Sequence, residues 1–351
     1  MVAATSEVTL PNHNYQYRRF STTNMNLLVT GGAGFIGSHI AHRLLELGHD
    51  VVVVDPLDPY YDQNVKHRNV DRCEEVGDDA YTFIDGSITD RELVDEIMAE
   101  HDIEFVYHEA AQAGVRTSVE NPQKPNRINV EGLLNVLTAA VDNDVERVVN
   151  ASSSSVYGIA EYLPFDEEHP NNPQSPYGVS KLAAEHYCNV FNNLYNIATV
   201  NLRYFTVYGP YMRPNMAITN FTSRCLNGKN PIIFGDGEQT RDFTYIEDIV
   251  DANVALLDTD AGDGETFNIG SGDNININQL AEHIIEKADA DVEIEYESSK
   301  KGDARHTHAD ISKAREVLNY EPTRTIREGV NEFVDWYAKN REWYEPVVLN
   351  S

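Results

Sequence analysis

Cysteine is nearly missing from this chain of 351 residues, which has only Cys73, Cys188 and Cys225. An odd number without C-x-x-C spacing excludes a disulfide framework and a four-ligand zinc site. A reducing cytoplasm is therefore expected, and no metal. Long apolar runs are missing too. No stretch approaches the roughly 20 residues that a membrane helix needs, so no membrane partner is expected. The opening segment "MVAATSEVTLPNHNYQYRRFSTTN" lacks the apolar centre of a signal peptide, and residues 1–24 read as a mobile tail. Positive charge is scarce, with 27 Lys and Arg against 57 Asp and Glu, a formal charge of -30 and a pI near 4.6. Such a surface repels nucleic acid and anionic lipid, so neither is expected as a partner. Lysine is the rarer cation, nine residues against eighteen Arg, and the acidic residues are spread along the whole chain. That pattern suits a halophilic, haloarchaeal protein, because molar salt shortens the Debye length to about 3 Å and screens the self-repulsion.

The chain does contain a regular alternation that starts at Met25. "MNLLVT" is a short apolar strand, a glycine-rich turn follows, and "SHIAHRLLELGHD" repeats its apolar residues at helical spacing. "VVVVD" and "YTFIDGSIT" read as strands, "RELVDEIMAE" as a helix, "FVYHEAA" as a strand, "NVEGLLNVLTAAVDN" as a helix and "RVVNASSSS" as a strand. Alternation of this kind makes a doubly wound parallel α/β sheet with both faces covered. Residues 25–203, with a return from about 242–260, form the expected nucleotide-binding domain. Residues 204–241 and 261–345, where Pro- and Gly-containing loops interrupt the alternation, form a smaller α/β substrate-binding domain.

"TGGAGFIG" puts Gly31, Gly34 and Gly37 at the mouth of the first helix, with Phe35 and Ile36 between them. Glycines there let backbone N–H groups approach a pyrophosphate at the positive end of the helix, as in a Rossmann-type sheet. Asp55 closes the second strand, where its carboxylate can accept hydrogen bonds from both ribose hydroxyls and repel a 2'-phosphate. The expected cofactor is NAD. The run "ASSSSVYG" then falls at the carboxyl end of a buried strand, the edge where such sheets bind ligands. "SPYGVSK" sets Tyr177 and Lys181 on one helical face, with Ser175 as N-cap and Pro176 at the first helical position. Lowering a phenol from about 10 towards 7 requires roughly 4 kcal/mol, which an ammonium and a nicotinamide cation can supply.

These motifs occur in the order found in the extended short-chain dehydrogenase/reductases, and between about Met25 and Tyr337 the chain resembles their nucleotide-sugar epimerase/dehydratase family. "HEAAQAGVR", "LRYFTVYGP" and "RDFTYIEDI" complete the resemblance. It implies a catalytic trio of Ser153, Tyr177 and Lys181. It implies NAD contacts from Ser87, Ile88, Ala110, Ala111, Gln112 and Asn129 beside the glycine turn and Asp55. It implies substrate contacts from Arg241 at the phosphates and from Phe234, Lys300 and Asp303 near the base, and a homodimer. Ser87 and Thr206 depart from the family's frequent Asp and Asn.

The family's dehydratases carry Asp and Glu after the catalytic hydroxyl, for the proton transfers of water elimination. Here Ser154 and Ser155 occupy those positions, and the Glu usual in the family's decarboxylases is absent from this stretch. The expected reaction is therefore UDP-sugar 4-epimerisation, on UDP-glucose/UDP-galactose or a close UDP-hexose. UDP-glucuronate is an alternative, since Ser154, Ser155 and Thr206 correspond to hydroxyls that receive its carboxylate. A plain NAD-dependent dehydrogenase and a non-catalytic NAD-binding regulator remain as further readings.

Overall fold

A computed structural model describes residues 24–298 and 305–349. The first part runs β1 (Asn26–Thr30), α1 (Phe35–Glu46), β2 (Asp50–Asp55), α2 (Gln63–Gly77), β3 (Tyr81–Asp85), α3 (Arg91–Glu100) and β4 (Phe105–His108). Two short helices, α4 (Val115–Glu120) and α5 (Gln123–Pro125), precede a π-helical turn at Asn126–Glu131. Then come α6 (Gly132–Asp142), β5 (Arg147–Ser153), α7 (Pro176–Tyr195) and β6 (Ala198–Tyr204).

The second part contains β7 (Thr206–Tyr208), α8 (Ala217–Leu226), β8 (Ile232–Phe234), β9 (Thr240–Arg241), β10 (Phe243–Tyr245) and α9 (Ile246–Val254). It continues with β11 (Thr266–Ile269), β12 (Ile275–Asn276), α10 (Ile277–Lys287), β13 (Glu295–Glu297), α11 (Ser312–Leu318), α12 (Ile326–Lys339) and α13 (Arg341–Leu349).

Seven strands form one sheet in the order β11-β6-β5-β4-β1-β2-β3, and every pairing in it is parallel. Alternate residues of a strand point to opposite faces. Leu27 and Val29 accordingly join one apolar cluster and Leu28 joins the other, and both clusters are buried under helices. The sheet is a Rossmann-type α/β fold. Its edge strand β11 comes from Thr266–Ile269, inside the segment assigned by sequence to the substrate-binding domain. Pairing with β6 places it there, Thr266 opposite Asn201 through Ile269 opposite Tyr204.

Helix α9 lies against α1, where Arg43 bonds Glu247 at 2.6 Å and Asp251 at 2.8 Å. Beyond the sheet, β7·β10, β8·β13 and β9·β12 form three separate two-stranded pairs. Helix α2 was not anticipated from the sequence. Asp62 caps it by accepting a hydrogen bond from the Asn64 amide at 2.9 Å, and Val65, Val70 and Cys73 supply its buried side. Among the described residues no helix is long and apolar enough to cross a membrane. Residues 1–23 of the expected tail lie outside the described residues.

Candidate active site

The carboxyl edge of the sheet opens into a cavity of about 1240 Å³, lined from the glycine turn at one end to Arg241 and Arg305 at the other. At the first end, Gly31 turns the chain at φ +71°, and a Cβ there would stand 2.7 Å from the Ala110 backbone. The start of α1 has no side-chain cap and no acidic residue in its first turn. Its amide groups are left for an anion, as a pyrophosphate requires. Gly34, Phe35, Ile36, Gly37, Ser87, Ile88, Ala110, Ala111 and Gln112 line this part of the cavity. Ser87 Oγ lies 2.9 Å from Thr89 Oγ1. Asp55 is already engaged: its Oδ1 accepts from the Leu57 amide at 2.8 Å and from buried Lys66 Nζ at 3.0 Å. The second carboxylate oxygen is the one left to face a ribose.

Asn129 does not line the cavity directly. Its Oδ1 accepts from the Gln112 amide at 2.7 Å and its Nδ2 donates to Ser180 Oγ at 2.9 Å, tying the loop after β4 to helix α7.

The serine run divides at Ser153. Its hydroxyl accepts the Ser155 amide at 3.1 Å, which ends β5 two residues earlier than the strand read from "RVVNASSSS" and folds Ser154–Val156 into a 3-10 turn. Helix α7 starts as its sequence predicts, with Ser175 Oγ accepting from the Gly178 amide at 3.1 Å and Pro176 in the first turn. A Cβ at Gly178 would stand 2.6 Å from the Ser155 carbonyl oxygen. Glycine at that point is what lets α7 lie against the serine turn.

Ser153, Ser154, Ser155, Tyr177, Lys181 and Thr206 all line the cavity. The Tyr177 phenol is pushed up by burial, while the Ser153 hydroxyl hydrogen-bonded to it and the Arg213 guanidinium pull it down. Lys181 donates to the Ala151 carbonyl at 2.5 Å. Burial lowers its ammonium to about 8, opposed by the Glu109 carboxylate.

Arg213 and Glu109 were missed as site residues, and only the fold shows that they meet Tyr177 and Lys181. Arg213 had one available signal, its place in "RPNMA". Arg241 sits at the far end and donates to the Thr240 and Arg305 carbonyls at 2.8 and 3.1 Å. Phe234 ends β8, outside the residues that line the cavity. Lys300 and Asp303 lie outside the described residues. No cluster of three or more His, Cys, Asp or Glu among the described residues is arranged to hold a metal.

The family model described as GDP-mannose 4,6 dehydratase matches residues 28–333. A putative UDP-glucose 4-epimerase of Methanocaldococcus jannaschii is 39% identical over 318 residues, covering 90% of this chain and 99% of that protein. The crystal structure of a UDP-glucose 4-epimerase from Thermotoga maritima with UDP-glucose superposes with a TM-score of 0.84 at 37% identity, covering 90% of this chain and all of that one. A UDP-glucuronic acid 4-epimerase from Bacillus cereus, in complex with UDP-glucuronic acid and NAD, gives 0.84 at 36% identity with the same coverage. With the sheet, the glycine turn and the Ser-Tyr-Lys trio all in place, the chain belongs to the GDP-mannose 4,6 dehydratase family, the nucleotide-sugar branch of the extended short-chain dehydrogenase/reductases.

Proposed function

We propose that the chain is an NAD-dependent UDP-sugar 4-epimerase acting on UDP-glucose/UDP-galactose or a close UDP-hexose. The observation that carries this reading is the pair Ser154 and Ser155 beside Ser153, Tyr177 and Lys181. Hydroxyls there can orient a sugar, but at neutral pH they cannot supply the acid and base that water elimination needs. The uncapped start of α1 and the Gly31 cradle fit a dinucleotide, and Ser87, Ile88, Ala110–Gln112 and Asp55 would hold its remainder. Bound there, NAD would accept a hydride from C4 of the sugar and return it.

The chain's own residues handle the proton. Tyr177 Oη takes it from the 4-hydroxyl, with Ser153 Oγ hydrogen-bonded to the phenol as orienting partner. Lys181, anchored on the Ala151 carbonyl, holds positive charge behind the phenolate. When the 4-keto sugar has turned over, the phenol gives the proton back to O4, and the hydride would return to the opposite face of C4. Arg241, at the far end of the cavity, meets the diphosphate.

Arg213 favours a second reading. Its guanidinium lines the same cavity as Thr206 and acts on Tyr177, so a substrate carboxylate at C5 would find a cation as well as hydroxyls. The ratio of kcat/KM for UDP-glucuronate over UDP-glucose separates the two. A neutral-hexose enzyme prefers UDP-glucose. A glucuronate enzyme prefers the acid and loses roughly 2 to 4 kcal/mol of that preference in Ser154→Ala/Thr206→Ala, two hydrogen bonds to a charged group.

The chain is further read as a cytoplasmic, salt-adapted homodimer. Support for a second copy comes from α7, whose Val179, Val190 and Leu194 stand exposed with Tyr187 and Tyr195 beside them. Support for salt adaptation is the charge of -30. A sedimentation measurement in molar KCl tests the dimer, and a monomer there removes it.

A further inference from the structure

Glu109 follows the last residue of β4, and the mechanism above gives it no task. Its side chain stands on the cavity wall with Tyr177, Lys181, Ala151 and Tyr204. Both ends of the residue are held. The Glu109 amide donates to the Thr30 carbonyl at 3.1 Å. The Tyr204 hydroxyl donates to the carboxylate at 2.8 Å and itself accepts from Asn253 Nδ2 at 2.8 Å. Asn253 is fixed in turn by the Ile249 carbonyl at 2.8 Å. Burial pushes the half-buried Glu109 carboxyl up to about 7, and the Tyr204 hydroxyl and the Lys181 ammonium pull it back towards the ionised form.

Among the described residues that act on the phenol, Glu109 is the carboxylate. From α7, Glu185 and Cys188 also face Lys181. Glu185 is taken up by Arg203, whose two nitrogens lie 2.9 and 2.8 Å from its oxygens. Arg213 and Tyr60 face Tyr177 from the other side. His108, next to Glu109 in the chain, is buried and held neutral, well below its usual range. Tyr204 and Tyr107 are phenols whose ionisation burial opposes.

We propose that Glu109 is a positioning residue that supplies the negative counter-charge of the catalytic cluster, clamped by Tyr204 and set against Lys181. The proposal rests on the epimerase reading and deepens it. With a nicotinamide cation bound, that cation, the Tyr177 phenolate, the Lys181 ammonium and the Glu109 carboxylate sum to zero, with the Arg213 guanidinium facing Tyr177 beside them. Once the sugar's proton is on Tyr177 and its hydride has been taken up, ammonium and carboxylate again sum to zero. Without Glu109 both states carry one more positive charge.

The consequence has a definite sign. A negative charge raises the pKa of every neighbour, so its loss lets both Tyr177 and Lys181 give up their protons at lower pH. In the holoenzyme, Glu109→Gln moves both limbs of the bell-shaped kcat profile to lower pH by about one unit or more, the usual effect of a charge at close range. The Tyr177 phenolate absorbance moves the same way. That signal is isolated by subtracting the spectrum of the Tyr177→Phe protein on the wild-type and Glu109→Gln backgrounds. Tyr204→Phe removes the hydrogen bond that holds Glu109 down, so more of the carboxyl is protonated near neutrality and a smaller shift in the same direction results.

A packing role alone would change kcat or thermal stability and leave the limbs in place. A phenolate titration that is unmoved or moves to higher pH in Glu109→Gln overturns the proposal. If that variant does not fold, an unmoved titration in Tyr204→Phe does so. Failure of the wild-type chain to epimerise any UDP-sugar would remove the functional reading, while the phenolate titration would still decide the role of Glu109.

Discussion

Arg203 grips Glu185 with two parallel hydrogen bonds, Nε to Oε1 at 2.9 Å and a terminal nitrogen to Oε2 at 2.8 Å, and both side chains are almost wholly buried. Glu185 belongs to α7, one turn beyond Lys181, and Arg203 belongs to β6. The pair reaches further on both sides: Ser152 Oγ donates to Glu185 at 2.5 Å, and Arg203 donates to the Tyr157 hydroxyl at 2.9 Å. Tyr157 in turn donates to Asn268 of β11 at 2.6 Å. This network joins the catalytic helix to three strands of the sheet and fixes the strand end that carries Ser153.

Breaking the pair leaves a buried charge without a partner, which costs about 3–5 kcal/mol. Arg203→Ala should therefore lower unfolding stability by that amount, measured by denaturant titration. Arg315→Ala, which removes an exposed ion pair with Glu321 at 2.8 Å, should change it by less than about 1 kcal/mol. Equal effects of the two would contradict the network's role.

Tyr177→Phe should leave the fold and the bound cofactor intact and lower turnover by at least about a hundredfold, the scale for losing a general acid/base. Retention of a tenth of the wild-type rate would remove Tyr177 from its role. Lys181→Met should match that loss and also weaken cofactor retention, measured by the nucleotide released on gel filtration.

Much of this site was legible because its residues are close in sequence. The glycine turn, the Ser175 cap and the Tyr177/Lys181 pair each lie within a few residues, where local chemistry sets the conformation. Arg213 and Glu109 come from segments far from Tyr177 in the chain, so a lone Arg or Glu carried no signal until the fold placed it against the phenol and the ammonium. The strand β11 was hidden for a similar reason. "TFNI" is too short to be distinguished from a loop until β6 offers its edge. Helix α2 was obscured by its own polarity, since nine of its fifteen residues are Gln, Asn, Lys, Arg, Asp or Glu.

His108 gives a pH prediction for stability. It is buried beside Thr30, its Nδ1 lying 2.9 Å from Thr30 Oγ1, and burial lowers it from 6.5 to about 3. The unfolded chain binds a proton at His108 below about pH 6.5 and the folded chain does not until about pH 3. Its contribution is therefore complete above pH 6.5 and falls as pH drops through that window, at up to about 1.4 kcal/mol per unit. The stability difference between wild type and His108→Gln should be constant above pH 6.5 and shift steadily in favour of the variant below it. A difference independent of pH would show that His108 takes up its proton in the folded state.

The charge of -30 predicts a salt dependence. The thermal midpoint should rise steeply between low and molar KCl as self-repulsion is screened. A flat response would place the chain among ordinary acidic proteins.

The most direct test of the epimerase reading is to follow the fate of C4 in a panel of UDP-sugars deuterated at that carbon, with products identified by NMR. The account predicts the C4 epimer of one of them, with the deuterium still on C4 and no net accumulation of reduced cofactor. A 4-keto-6-deoxy sugar, or release of an oxidised sugar with one equivalent of reduced cofactor, would contradict it.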